Sequence, residues 1–264
     1  MAPPKPDRRA APFSVTPLSG MPLFVVGMNV AGEIVAAARK QGVEIGAGDV
    51  VVVAQKIVSK AEGRSVRLRD VAVSDEARVL AHKSGKAPAL IQLMLEESTE
   101  IMRVTPHVVI TRLRSGHVAA NAGIDASNVE GGADDAVLLW PRDPDASARQ
   151  LRAELTSALG VSPAVIIADS LGRAWRLGTM GTAIGCAGVM VIDDRRGEAD
   201  LFGRKLQATL VGVADSIAAA AVLAMGEGAE GAPAAIVRGM AHYVSDSETS
   251  AIAGLRSLNE DLFR

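Results

Sequence analysis

The chain has 264 residues, 48% of them hydrophobic, with 28 lysines and arginines set against 30 aspartates and glutamates. That length supports a sizeable core in one large domain or two small ones, and a formal charge of -2 gives no general attraction to nucleic acid or to an anionic membrane. The single cysteine, Cys186, excludes an internal disulfide and a thiolate zinc cluster. No uninterrupted apolar run approaches the ~20 residues that span a bilayer. Residues 1–12 carry proline and charge without the apolar stretch of a signal peptide. The expectation is a soluble cytoplasmic protein with a loose arm over 1–12, one domain over 13–264, and neither nucleic acid nor membrane as a partner.

In chain order, residues 13–27 alternate short apolar pieces with turn residues, which predicts a strand, a turn and a second strand. Residues 29–41 have helical apolar spacing, and Gly46 to Asp49 form a turn before the apolar strand 50–54. That strand runs into Gln55, Lys56, Lys60 and Arg64, a polar cluster read as a solvated turn or as a place where two lysines meet phosphate oxygens. Helices are expected over 74–86 and 89–97, and a hairpin over 108–113 and 117–120. A loop rich in Gly and Asn/Asp follows, over 121–129, and its Asp125 is either an ordinary turn residue or a metal ligand. Next come a short strand at 136–140, a turn at 141–145, and a helix over 146–159 that Asp145 would cap.

The stretch from 166 to 185 stands out. Val165, Ile166 and Ile167 have the composition of a buried strand delivering Asp169 and Ser170 to its carboxyl end. Beyond them Arg173, Trp175 and Arg176 lie between Gly172, Gly178 and Gly181, so that backbone and two guanidiniums could approach a phosphate or polycarboxylate. A strand is expected over 184–193, a charged turn over 194–203, a strand over 206–213 and a buried, nearly all-aliphatic helix over 214–225. Gly226, Gly228 and Gly231 match G-x-G-x-x-G, but they follow a helix and precede a strand (234–237), the reverse of the dinucleotide fingerprint. Glu227 and Glu230 face the negative end of that helix, where a bound cation would account for them. Ser245 to Glu248 read as a capping box for a final helix to about 262. No P-loop, HExxH or GxSxG motif occurs, and the four histidines lack ligand spacing. Strands and helices mix without strict βαβ alternation, which favours α+β, with mixed sheets and flanking helices.

Four blocks, over 50–64, 121–129, 169–185 and 193–221, make the chain resemble the coenzyme F-420-0:L-glutamate ligases, the gamma-glutamyl ligases of deazaflavin biosynthesis, collinearly from about Pro17 to Gly239. The resemblance implies an unusual α+β fold in an intertwined homodimer. It also implies a GTP- and divalent-metal-dependent ligase that joins L-glutamate to a deazaflavin precursor through an acyl phosphate. Carried over by position, Asp125 and Asp169 would hold one Mg2+ or Mn2+ and Ser170 and Glu227 a second, with room for a monovalent cation such as K+. Nucleotide contacts would fall on Met21, Pro22, Leu23, Phe24, Gln55, Lys56, Lys60, Asn128, Met225, Gly226, Gly228 and Gly231. Asp125 and Asp169 would serve catalysis through that metal, and Arg173 and Arg176 by holding phosphate or carboxylate. Met28, Asn29, Leu177, Met180 and Gly181 depart from the family pattern and bear on the acceptor. Two-domain members of that family add a flavin-binding reductase domain after the ligase part, and no flavin is expected here. The same residues also suit a GTP phosphotransferase or hydrolase acting on another carboxylate acceptor, or a non-catalytic subunit that binds nucleotide or deazaflavin.

Overall fold

A computed structural model describes residues 11–127 and 136–261. In order, the chain forms β1 (Ser14–Leu18), α1 (Val30–Lys40), β2 (Val50–Ala54), α2 (Gln55–Ala61), β3 (Ser65–Arg67), α3 (Asp75–Ser84), α4 (Pro88–Glu97), β4 (Ser98–Thr105), β5 (Val108–Leu113) and β6 (Val118–Ala120). There follow β7 (Ala136–Leu138), α5 (Pro144–Leu159), β8 (Ala164–Gly172), β9 (Thr179–Ala187), β10 (Ile192–Asp194), β11 (Leu210–Gly212), α6 (Val213–Met225) and β12 (Ala234–Arg238). The fold is mixed α and β, as the composition of its segments predicts.

The centre is a five-stranded sheet in the order β1-β12-β2-β8-β9, in which β2 and β8 run parallel and every other pair antiparallel. Val50, Val51, Val52 and Val53 are wholly buried, which requires cover on both faces. The pleat sends Val51, Val53, Val165 and Ile167 into one core with Ile34 of α1 and Leu151 and Leu155 of α5. It sends Val50, Val52, Ile166 and Ala168 into another with Ile217, Ala218 and Ala221 of α6. Burying an aliphatic side chain of this size contributes about 1.5–3 kcal/mol, so these central strands anchor the molecule. The helices press close: a Cβ on Gly185 of β9 would lie 2.2 Å from the Pro144 carbonyl oxygen at the start of α5. Beside this sheet, β4-β5-β6 form a three-stranded sheet and β3 pairs with β7, packed with α3 and α4.

Several expectations need correction. The second strand within 13–27 does not form, and Leu23 and Val26 lie exposed in irregular chain. The polar cluster after β2 is a helix, α2, and not a solvated turn. Strand β4 was not foreseen: it alternates little and carries register shifts against β5. Asp143, not Asp145, caps α5, accepting the Ala146 N–H at 2.9 Å. The arginine- and glycine-containing stretch after Asp169 is the arm and tip of a β8–β9 hairpin, which places Asp169 and Ser170 within a strand that runs on to Gly172 and not at its carboxyl end. The expected strand over 184–193 divides between β9 and β10. Among the described residues the capping box at Ser245 opens no α-helix: the Ser245 hydroxyl accepts from the Ser247 N–H, and short 3-10 turns follow, at Ala251–Gly254 and Leu258–Glu260. No described helix is long and apolar enough to cross a membrane.

Candidate active site at the carboxyl end of the parallel strands

Strands β2 and β8 run parallel in register, Ala54 beside Ala168, so the first turn of α2 emerges beside Asp169. A bulge in β9 resets the pairing just before it, between the Ile167–Gly185 and Ala168–Ala183 partners, a device that re-aims side chains beside functional sites. The short strand β6 leads into a tight 3-10 turn at Asn121–Gly123, with left-handed Asn121 and Ala122, and then to Asp125, which bridges to Leu138. On the other side, the chain leaving α6 returns through residues 226–233, and the Pro233 carbonyl accepts from the Ala54 N–H at 2.8 Å. Four separate segments therefore meet at one end of the central sheet.

Two pairs of side chains result. In the first, Lys56 Nζ lies 2.7 Å from Asp125 Oδ2 and donates to the Ser127 hydroxyl at 2.7 Å. Asp125 Oδ1 accepts from the Ser127 N–H at 2.6 Å. Burial pulls the Asp125 carboxyl up, but the Lys56 and Ser127 hydrogen bonds outweigh it and hold the group below the usual carboxylate range. Asp169 behaves oppositely. Burial drives its carboxyl above the ordinary value against the Ser170 N–H and the Trp140 indole, which donates to Oδ2 at 2.8 Å, and the nearby Asp125 charge adds to the rise. In the second pair, the Ser170 hydroxyl sits between both oxygens of Glu227, at 2.7 and 2.8 Å. The pleat explains the separation: Asp169 falls on the sheet face of α1 and α5, and Ser170 on the face of α6. Accordingly, no set of three or more His, Cys, Asp or Glu gathers as a metal cage among the described residues.

Oxygen-only donors of this kind suit hard divalent cations. Mg2+ is typically held by one or two carboxylates, with water and substrate phosphates completing its shell. A cation beside Asp169 would also relieve the cost of a buried carboxylate with a second one in its field.

The remaining candidates divide. Lys60 follows Lys56 by one turn of α2. Met21, Pro22, Leu23 and Phe24 lie in irregular chain, Phe24 buried in the core, and three residues on the Gly27 N–H donates to the Ala61 carbonyl at the far end of that helix at 2.8 Å. Gln55 is 1% exposed, its amide donating to the Ser59 hydroxyl and to the Leu139 carbonyl, while its Oε1 has no hydrogen-bond partner among the described residues. Met225 is likewise buried as the last residue of α6, whereas Gly226, Gly228 and Gly231 lie in the returning loop. There the Gly228 N–H donates to Glu230 at 2.8 Å. Arg173 and Arg176 are exposed at the hairpin tip; at ~3.3 Å per strand residue, Arg173 lies roughly 13 Å along from Asp169, so this chain does not gather the arginines around its own Asp169. Asn128 lies outside the described residues. Trp140 was missed by sequence reasoning, although a buried indole N–H requires an acceptor, and in a chain with two tryptophans each was worth that question.

The family described as F420-0:Gamma-glutamyl ligase matches residues 20–239. Among curated proteins, the chain is similar to the coenzyme F420:L-glutamate ligase of Methanothermobacter thermautotrophicus, 44% identical over 96% of this chain and 99% of that protein. It is 43% identical to the protein of that name from Methanopyrus kandleri, over 88% of this chain and 92% of the relative. With that of Archaeoglobus fulgidus it shares 42% over 95% and 96%. Identity of this extent over nearly the whole length of both partners leaves one conclusion: the chain belongs to the F420-0:gamma-glutamyl ligase family.

Proposed function

We propose that the protein ligates L-glutamate to the deazaflavin coenzyme F-420 precursor, using GTP and two divalent cations, Mg2+ or Mn2+. The observation that carries this reading is the meeting of Lys56, Asp125, Asp169, Ser170 and Glu227 from four segments at one end of the sheet. Oxygen donors for cations stand there beside a lysine for phosphate, in a chain whose relatives are named for glutamate ligation.

On this reading, phosphoryl transfer from GTP to a carboxylate of the precursor gives an acyl phosphate, and the glutamate amine displaces phosphate to form the amide. Bound cations would supply charge neutralisation on the phosphate oxygens. Asp125 and Asp169 would hold one, Ser170 and Glu227 the other. Lys56, whose ammonium lies 2.7 Å from Asp125 Oδ2, would meet a phosphate oxygen as a compact point charge. No side chain needs to act as a nucleophile: Cys186 is wholly buried, and the Ser170 hydroxyl is committed to Glu227.

A homodimer belongs to the same proposal. Leu177, Leu201, Phe202 and Leu223 stand 83–100% exposed, and a second copy of the chain would cover them. The hairpin bearing Arg173 and Arg176 is among those surfaces. A monovalent cation such as K+ and a cytoplasmic location complete the reading.

The test is incubation with GTP, Mg2+ or Mn2+, L-glutamate and the deazaflavin precursor, followed by mass spectrometry of the deazaflavin and by GDP release. Glutamyl mass gains coupled to GDP are expected, and Asp169→Asn should lower both by at least ~100-fold, the upper end of what losing even an outer-shell partner costs. GDP without mass gain would replace this reading with a phosphotransferase or hydrolase, and neither product with a binding subunit.

A further inference from the structure

We infer that Trp140 is a positioning residue for the Asp169 carboxylate, holding it in the orientation in which it takes a divalent cation; this rests on the metal reading of Asp169 given above. The indole Nε1 donates to Asp169 Oδ2 at 2.8 Å, and the Trp140 side chain is buried. Three neighbours fix it. Gly123 makes room: a Cβ there would come within 2.4 Å of Nε1 and 2.6 Å of Cε2, and its φ of +65° disfavours any other residue. The His117 ring meets the indole edge-on, 5.6 Å between centroids at 78°. The Trp140 carbonyl accepts from Arg64 Nε at 2.8 Å, and Arg64 is in turn paired with Glu97 at 2.6 Å.

The chemistry of the donor matters as much as its position. An indole N–H only donates and carries no charge. It therefore restrains one carboxylate oxygen without cancelling the negative charge, unlike the ammonium of Lys56 on Asp125, and it leaves most of the carboxylate's lone pairs available. The same indole packs against the turn that presents Asp125 two residues after Gly123.

The chain has two tryptophans, so 15N-labelled protein gives two indole cross-peaks, and Trp175→Phe identifies that of Trp140. Titration with Mg2+ alone should move the Trp140 peak saturably in the unaltered protein and leave it unmoved in Asp169→Asn. Binding of Mn2+, followed through the paramagnetic resonance of the free ion, should weaken at least ~10-fold in Trp140→Phe at the site that Asp169→Asn removes, with the Trp175 peak unchanged. Equal Mn2+ affinity in the folded Trp140→Phe protein overturns the positioning role while the metal site stands. Equal affinity in Asp169→Asn overturns the metal reading itself. Should the Phe variant fail to fold, the Mg2+ titration decides alone, and an unmoved Trp140 peak in the unaltered protein overturns the inference.

Discussion

Asp169 shows how a single residue's surroundings set its chemistry. A carboxylate at the end of a buried strand is legible in the sequence as a candidate ligand, because the apolar run before it fixes where it must lie. Its partner Trp140 is 29 residues away, and that contact exists only once β7 and β8 are both placed. His117 is a second residue whose state the fold decides. Burial lowers its affinity for a proton, against the opposing carboxylates of Asp145 and Asp215 and the Ala183 carbonyl. The unfolded chain, with its histidine near the ordinary value of 6.5, therefore binds more protons as the pH falls, and stability drops with it. Urea midpoints at pH 7.5 and 5.5 should show a larger acid loss in the unaltered protein than in His117→Leu. Equal losses would mean that the ring titrates alike in both states. Cys186 has its thiol pushed far up by burial and by the same two carboxylates; it should resist a thiol reagent in the native protein and react at once in denaturant, as thiolate availability requires.

At the scale of elements, strong local signals succeeded. The N-cap Asn29, accepting from the Gly32 N–H at 2.8 Å, and Ser74, accepting from the Ala77 N–H at 3.2 Å, mark helices where the sequence places them. The aliphatic runs mark β2, β8 and α6. Failures came where a local signal competes with a distant partner. Asp145 has the chemistry of a cap, yet it is buried and accepts from the Cys186 N–H of β9 at 2.8 Å, the Ala251 N–H at 2.9 Å and the Ser250 hydroxyl at 2.6 Å. It staples α5 to a sheet strand and to the chain near its end. Loss of hydrogen bonds to a charged acceptor costs about 1.5–3 kcal/mol apiece, and unpaired donors remain. Asp145→Ala should therefore destabilise by about 3 kcal/mol or more in denaturant titration, whereas Asp143→Ala, which removes a cap, should cost about 1 kcal/mol. Similar costs for the two would show that the staple contributes no more than a cap.

For the whole molecule, the exposed apolar residues make the clearest prediction. Leu177 is 99% exposed at the β8–β9 hairpin and Phe202 83% exposed in the turn after β10. If a second copy covers them, light scattering should report a dimer that Leu177→Glu and Phe202→Glu convert to monomer, because a carboxylate cannot be buried there unpaired. A monomer of the unaltered protein would remove the dimer from the proposal.

The sequence by itself determined which segments are strands and helices wherever their apolar pattern was strong, and the mixed α and β class. Those follow from side-chain chemistry and from periodicities local to a few residues. Tertiary structure alone decided the strand order, with β12 inserted between β1 and β2, the burial of Gln55, the distance of Arg173 and Arg176 from Asp169, and the contact of Trp140 with Asp169. The physical reason is that each depends on which face of a strand meets which distant element. A pleat turns Asp169 toward Trp140 and its neighbour Ser170 toward Glu227, and no pattern within one segment can name either partner.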